Sequence, residues 1–170
     1  MLNNEVELRV LEENDIDILT RIMERAFDVD TKMHTNDEKG GPTGYNNGDF
    51  LRKFALQKQS SAYTIMQNKN IVGCVIVWVN KESKINYLGN IFIDPCIQNK
   101  GIGFKVWNII EDKYKCTKKW CTETPGYSRR NHNFYVNKCG FHVVKINNPM
   151  DELQSSFILE KVMMGEEMDD

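Results

Sequence analysis

Apolar residues recur with two different periods along the first third of the chain. In VELRV (residues 6–10) they alternate with charged residues, which predicts a half-buried strand. In DIDILTRIMERAF (residues 15–27) they return every three or four positions, which predicts an amphipathic helix. The polar, glycine-rich residues 28–49 follow and are predicted to form a long loop, a kind that is usually functional or mobile. FLRKFALQKQ (residues 50–59) then predicts a second, short helix.

The remainder of the chain is dominated by apolar strand patterns. IVGCVIVWVN (residues 71–80) is apolar on both faces, so we expect a central strand. Further strands are predicted at residues 62–67, 84–94, 117–124, 141–146 and 155–162, and helices at residues 101–114 and 129–138. Gly89 is a candidate bulge, and the last two strands are expected to pair antiparallel. This order predicts an α/β (α+β) fold: a mixed, mostly antiparallel central sheet of about six or seven strands, flanked by about four helices, with a parallel crossover near its middle.

Composition restricts the classes of function. The chain has 170 residues, which predicts one domain over residues 1–164, followed by an acidic tail over residues 165–170 that we expect to be disordered. The 22 basic and 24 acidic residues nearly balance, so neither a nucleic-acid nor a membrane partner is expected. The N-terminus lacks the pattern of a secretion signal, and the five cysteines are scattered, which predicts a cytoplasmic location and reduced thiols. No His or Cys spacing is typical of a metal site, so no metal is expected.

The segment IFIDPCIQNKGIGFKVW (residues 91–107) places glycines at the start of a predicted helix. The first amides of a helix lack intrahelical partners and carry the positive end of its dipole. Gly101 and Gly103 would let a bulky anion approach those amides, and Lys100 adds positive charge. The pattern therefore indicates a phosphate site, although neither a P-loop nor a complete dinucleotide fingerprint is present. A tight turn whose glycines only permit close packing is the alternative.

Three motifs in order resemble the GNAT N-acetyltransferase superfamily. QNKGIG (residues 98–103) is similar to that family's Q/R-x-x-G-x-G/A pyrophosphate loop, and IFIDP (residues 91–95) to its L-x-V-x-P. NHNFYVNKCGFHVV (residues 131–144) is similar to its F-Y-x-K-x-G-F block. The specific motifs lie between residues 85 and 146, and the general resemblance covers most of the chain.

The resemblance implies an acyltransferase that uses acetyl-CoA as cosubstrate. It implies direct transfer of the acetyl group to a primary amine of a small molecule or peptide, through a ternary complex. The alternative is a non-catalytic acyl-CoA-binding sensor or regulatory module of the same fold. The residues implied to contact the cofactor are Ile91, Phe92, Ile93, Gln98, Asn99, Lys100, Gly101, Ile102, Gly103, Phe104 and Asn131.

The resemblance also implies catalytic roles. Tyr135 matches the tyrosine that hydrogen-bonds or protonates the leaving CoA thiolate, although packing beside Phe134 is the alternative. The family commonly has Asn where this chain has Ser128, so Asn131 is expected either to supply the missing amide contact or to cap the helix. Glu123, at a strand end, is the best carboxylate candidate for the general base, and a surface charge is equally consistent with its position.

The acceptor is left open by the sequence. The resemblance places the acceptor pocket at residues 28–49, where acidic side chains would suit a cationic amine. As an alternative to Glu123 as the general base, Tyr87 or Asn90 could hold a water that relays the amine proton. Many relatives dimerise, so a homodimer remains open.

Overall fold

The computed structural model describes residues 5–97 and 100–164 as a seven-stranded sheet with helices on both faces. The strands are β1 (Val6–Val10), β2 (Ser60–Gln67), β3 (Asn70–Trp78), β4 (Ile85–Ile93), β5 (Lys119–Pro125), β6 (His142–Asn147) and β7 (Ser156–Val162). The helices are α1 (Ile16–His34), α2 (Asp49–Phe54), α3 (Ile102–Lys113) and α4 (Arg129–His132), and α4 continues as a π-helical segment (Asn133–Lys138).

The strand order in the sheet is β1-β2-β3-β4-β5-β7-β6. Only β4 and β5 are parallel, joined by the α3 crossover; the other neighbouring pairs are antiparallel. The predicted fold class, with its parallel crossover near the middle of the sheet, is confirmed.

Two apolar cores lie on opposite faces of the sheet. Under α3, the indole of Trp107 packs edge-on against Trp120 at 5.1 Å between ring centroids. Under α1 and α2, buried residues such as Met23 and Leu51 pack on the other face. Strand β3 supplies residues to both cores, which explains why its sequence is apolar on both faces.

Strand β4 carries the predicted bulge. In its register with β3, Ile76 lies opposite Asn90 and Val77 opposite Leu88, so Gly89 is the extra residue. A Cβ atom at Gly89 would collide with the Trp78 indole, which explains the glycine. The parallel pairing of β4 with β5 ends at Leu88 and Thr122, so the two strands separate at the bulge.

Helix α1 is longer than the sequence predicted. The predicted loop over residues 28–49 was wrong for residues 28–34, because α1 ends only at His34. The helix is held there by the following loop: the Thr31 hydroxyl donates to the Gly40 carbonyl at 2.8 Å, and Asp28 accepts from the Tyr45 hydroxyl at 2.7 Å. These contacts join residues distant in sequence, so the local pattern did not indicate them.

No helix in the described parts of the chain is long and apolar enough to cross a bilayer. The five cysteines are all free thiols. The expected tail over residues 165–170 lies outside the described residues.

Candidate active site

A cleft of about 200 Å³ opens where β4 separates from β5. Its walls are the end of β4, the first turn of α3, the α4 segment with its π-helical continuation, and the second half of α1. The cleft collects nine of the residues that the resemblance implied: Ile91, Phe92, Ile93, Gly101, Ile102, Gly103, Phe104, Asn131 and Tyr135.

Of the other four predicted residues, two do not line the cleft and two are not described by the structure. Lys100 is exposed beside Gly101 and is not among the lining residues. Gln98 and Asn99 lie outside the described residues. Glu123 is exposed on β5 and does not line the cleft.

The two glycines of the turn have different structural reasons. Gly101 precedes α3 with a left-handed backbone (φ +74°), and a Cβ there would meet no heavy atom within 4 Å. Glycine is favoured by that backbone, and the space above it is open. At Gly103, a Cβ would lie 3.2 Å from the Phe134 ring. Gly103 therefore permits close packing, as the alternative interpretation of the turn had it, whereas Gly101 leaves the end of the helix bare.

Tyr135 lies deep in the cleft wall and is only 7% exposed. Burial raises the pKa of its hydroxyl well above the ordinary value for tyrosine. The hydroxyl is protonated at neutral pH, as an ordinary tyrosine already is, and it can donate a hydrogen bond into the cleft. The Thr122 hydroxyl lies beside it and donates to the Leu88 carbonyl at 2.8 Å, at the point where β4 and β5 separate.

The π-helical geometry places Tyr135 in this wall. The Cys139 N–H bonds to the Phe134 carbonyl, five residues back, and the Phe141 N–H bonds to the Tyr135 carbonyl. Gly140 closes the segment with a left-handed backbone (φ +81°), a conformation that favours glycine after a helix. Single π-helical turns of this kind are frequent at functional sites.

Ser128 occupies the position before the helix that the sequence had left open for Asn131. Ser128, not Asn131, precedes the first turn of α4, so the helix-cap alternative for Asn131 was wrong. The Asn131 amide lines the cleft and donates to the Thr124 hydroxyl at 3.2 Å. Ser128 is fully buried, and its hydroxyl donates to Asp30 at 3.0 Å.

Asp30 connects α1 to the start of α4 across the cleft. Besides Ser128, it lies 3.5 Å from both the Arg130 guanidinium and the His34 ring. Burial lowers the pKa of His34; the Asp30 charge opposes this shift, and the Arg130 charge adds to it. Asp30 is the only carboxylate among the described residues that line the cleft, and no local pattern in the sequence indicates its contact with Ser128.

Glu123 lies on the face of β5 opposite Tyr135. Thr122 and Thr124 point toward the α4 side, and the intervening Glu123 accepts a 2.5 Å hydrogen bond from the Ser156 hydroxyl on β7. Its carboxylate is close enough to Tyr87 to raise the pKa of that phenol, although burial is the larger cause. Among the described residues, no group of three or more His, Cys, Asp or Glu side chains could hold a metal ion.

Comparison with known proteins decides the family. The model of the acetyltransferase (GNAT) family matches residues 22–141, well over half of the chain. The chain belongs to this family. The matched residues begin within α1 and end at Phe141, just after the π-helical segment that carries Tyr135. They therefore contain the whole cleft of this GNAT N-acetyltransferase.

Similar proteins are found by sequence and by fold. The uncharacterized protein YrkN of Bacillus subtilis is 34% identical over 143 residues, which are 84% of this chain and 76% of that protein. The fold is similar to an acetyltransferase from Thermus thermophilus, with a TM-score of 0.75 at 15% identity, covering 96% of this chain and 100% of the other. It is also similar to the PaiA N-acetyltransferase of Thermoplasma acidophilum, solved in complex with coenzyme A, with a TM-score of 0.74 at 14% identity and coverage of 94% and 99%.

Proposed function

We propose that this GNAT enzyme transfers an acetyl group from acetyl-CoA directly to a primary amine of a small molecule or peptide, within a ternary complex. The observation that carries the proposal is the geometry of the cleft. It joins the bare helix end at Gly101 to the buried hydroxyl of Tyr135. One end suits a phosphate group and the other suits a leaving thiolate.

The residues of the cleft fit coenzyme A. The first-turn amides of α3, with Gln98, Asn99 and Lys100 before them, would hold its pyrophosphate, because the left-handed Gly101 leaves open space above the helix end. The backbone of residues 91–93 follows the point where pairing with β5 has ended, and it would lie along the pantetheine arm. Acetyl-CoA supplies the activated acetyl thioester.

Tyr135 would act as the general acid. A tyrosine hydroxyl holds its proton at physiological pH, so Tyr135 would donate a hydrogen bond to the leaving thiolate and pass the proton to it as the C–S bond breaks. Burial raises the pKa of this hydroxyl, which makes it a weaker acid than an ordinary tyrosine and favours the hydrogen-bonding part of the role. Thr122 would hold this hydroxyl in position. Glu123 would accept the amine proton. Because its carboxylate does not line the cleft, a water molecule would carry the proton to it.

Two-substrate kinetics test the direct transfer. Initial rates measured against acetyl-CoA at several amine concentrations should give intersecting double-reciprocal lines. The mass of the protein after incubation with acetyl-CoA alone should be unchanged. Parallel lines together with an acetylated protein would show a covalent intermediate and contradict the ternary complex.

One observation favours the alternative of a non-catalytic acyl-CoA sensor. Asp30, the only described carboxylate lining the cleft, is already engaged with Ser128 and Arg130. A sensor would bind CoA tightly and release no thiol with any amine. Calorimetry with CoA and a thiol-release assay on the same sample separate the two functions.

A further inference from the structure

The sheet carries a partly exposed aromatic surface on the side opposite Tyr135. We call it the aromatic face and define it by Phe54, Trp78, Tyr87 and Glu123. The ring centroids of Phe54 and Trp78 are 6.4 Å apart, and those of Trp78 and Tyr87 are 6.3 Å apart, both edge-to-face. Tyr87 is 38% exposed, and Ile85 beside it is 45% exposed. Phe54 and Trp78 are half-buried, so the face combines rings that rest on the core with rings that water reaches.

The bulge in β4 shapes this surface. Gly89 has no side chain, and the Trp78 indole occupies the space where its Cβ would be. The indole therefore lies against the β4 backbone directly at the separation of β4 from β5. From there the rings continue through Phe54 to Phe50 of α2, 4.7 Å from Phe54.

The aromatic face borders the reacting centre of the proposed enzyme. Tyr87 is adjacent to Leu88, whose carbonyl accepts the Thr122 hydroxyl that lies beside Tyr135. Tyr87 and Tyr135 thus lie on opposite faces of the sheet beside the same gap. A molecule seated on the aromatic face would present one end of itself to this gap.

Glu123 is the carboxylate of the aromatic face, and the Lys53 ammonium lies over the Phe54 ring, 5.1 Å from the ring centroid. Glu123 accepts a hydrogen bond from the neutral Ser156, and the ion pairs found among residues 5–97 and 100–164 do not include it. Three of the acidic residues between positions 28 and 49, where the sequence suggested a pocket for a cationic acceptor, have other contacts. Asp28 holds Tyr45, Asp30 holds Ser128, and Glu38 pairs with Lys32.

We infer that the acceptor is a primary amine with a single positive charge and an aromatic body, whose ring packs on Tyr87 and Trp78 and whose ammonium group lies beside Glu123. This inference rests on the proposed function. Aromatic pairs and cation–π contacts give such a ligand binding energy beyond its buried area. A polyamine fits less well, because it carries several positive charges, whereas the aromatic face offers the Glu123 carboxylate and already holds the Lys53 ammonium over the Phe54 ring.

The test compares amines on one protein sample. Acetyl transfer would be measured with 2-phenylethylamine, tryptamine, n-butylamine, spermidine and a short peptide with a free N-terminus. The two arylalkylamines should give kcat/KM values at least tenfold above those of the other three. A higher value for spermidine or the peptide would overturn the inference while leaving the proposed function intact.

Variants of the aromatic face locate the contact. Tyr87→Ala should raise the KM for 2-phenylethylamine about tenfold, and Tyr87→Phe, which keeps the ring, should change it less than threefold. Val144→Ala, at an exposed position of β6, is the control and should change nothing. Affinity for CoA should remain within twofold in all three variants. A KM that is equal in Tyr87→Ala and in the wild type would overturn the inference.

Direct binding distinguishes failure of the inference from failure of the proposed function. Calorimetry would titrate 2-phenylethylamine into the protein saturated with CoA. Binding that weakens about tenfold in Glu123→Gln supports the inference even if turnover is absent. Absence of amine binding, with CoA still bound, overturns it. Absence of CoA binding would contradict the proposed function itself.

Discussion

At the scale of single residues, the sequence predicted the cleft better than any other part of the molecule. Gly101, Gly103 and Tyr135 lie in short local motifs, and the backbone of a strand, turn and helix follows from neighbouring residues. Nine of the thirteen predicted cofactor and catalytic residues therefore meet in one cleft. The separate reasons for the two glycines were not predictable, because the contact of Gly103 with the Phe134 ring depends on the folded chain.

Gly101→Val should weaken CoA binding at least tenfold, because its side chain would occupy the open space above the first-turn amides. Gly140→Val is the matched control: Gly140 has a similar left-handed backbone (φ +81° against φ +74°), so both variants lose about 1 kcal/mol or more of stability. Calorimetry should show weaker CoA binding only in Gly101→Val. Equal affinities in the two variants would mean that the space above Gly101 is not a ligand site.

Tyr135→Phe should lower kcat about a hundredfold with little change in CoA affinity, since it removes a proton donor and keeps the buried ring. The control is Tyr114→Phe, whose lost hydroxyl bonds to Tyr63 at 2.6 Å outside the cleft. Steady-state kinetics and CoA titration on both variants give the comparison. An undiminished kcat in Tyr135→Phe would remove Tyr135 from the proposed mechanism.

At the scale of elements, hydrophobic periodicity predicted the strands and helices, but long-range contacts determined where some of them end. Helix α1 extends past the predicted boundary because the loop after it bonds to Asp28 and Thr31. The hydrogen bond between Asp30 and Ser128, 98 residues apart, fixes the same end of α1 to α4. A pattern read along the chain carries no information about such pairs.

The start of α1 is held by Asp15, whose buried carboxylate connects β1 and β2 to the helix. It accepts hydrogen bonds from Arg9 at 2.8 Å, from the Glu12 N–H at 2.9 Å and from the Thr64 hydroxyl at 2.9 Å. Burial alone would raise the pKa of Asp15, but these donors lower it below the ordinary value. The ionised carboxylate therefore stabilises the fold at neutral pH.

Asp15→Asn should lower the free energy of unfolding by about 2 kcal/mol at pH 7. The folded pKa of Asp15 is depressed, so its contribution is full above the unfolded value of about 4 and is lost as the pH falls through the folded pKa. The difference between wild type and variant should accordingly shrink below about pH 4. Urea unfolding from about pH 7 to about pH 2 measures it, with the exposed Asp17→Asn as the control. A difference that does not depend on pH would contradict the role of the charge.

At the scale of the whole molecule, the cleft exists because two packed layers meet at one gap in the sheet. Helix α3 and the π-helical segment that carries Tyr135 cover one face of the sheet, and α1 and α2 cover part of the other. Strands β4 and β5 separate between these two layers. The order of elements predicted a mixed sheet with a parallel crossover near its middle, and the structure places that crossover between β4 and β5. The partly uncovered aromatic face was not predicted, because its rings come from α2, β3 and β4.

The measurement that tests the central claim most directly is the release of CoA thiol from acetyl-CoA by the purified protein, with and without a primary amine. The account predicts release that requires the amine, rises with its concentration, and falls at least tenfold in Gly101→Val when acetyl-CoA is below its KM. Thiol release that no amine accelerates, from a protein that still binds CoA, would contradict an acetyltransferase acting at this cleft.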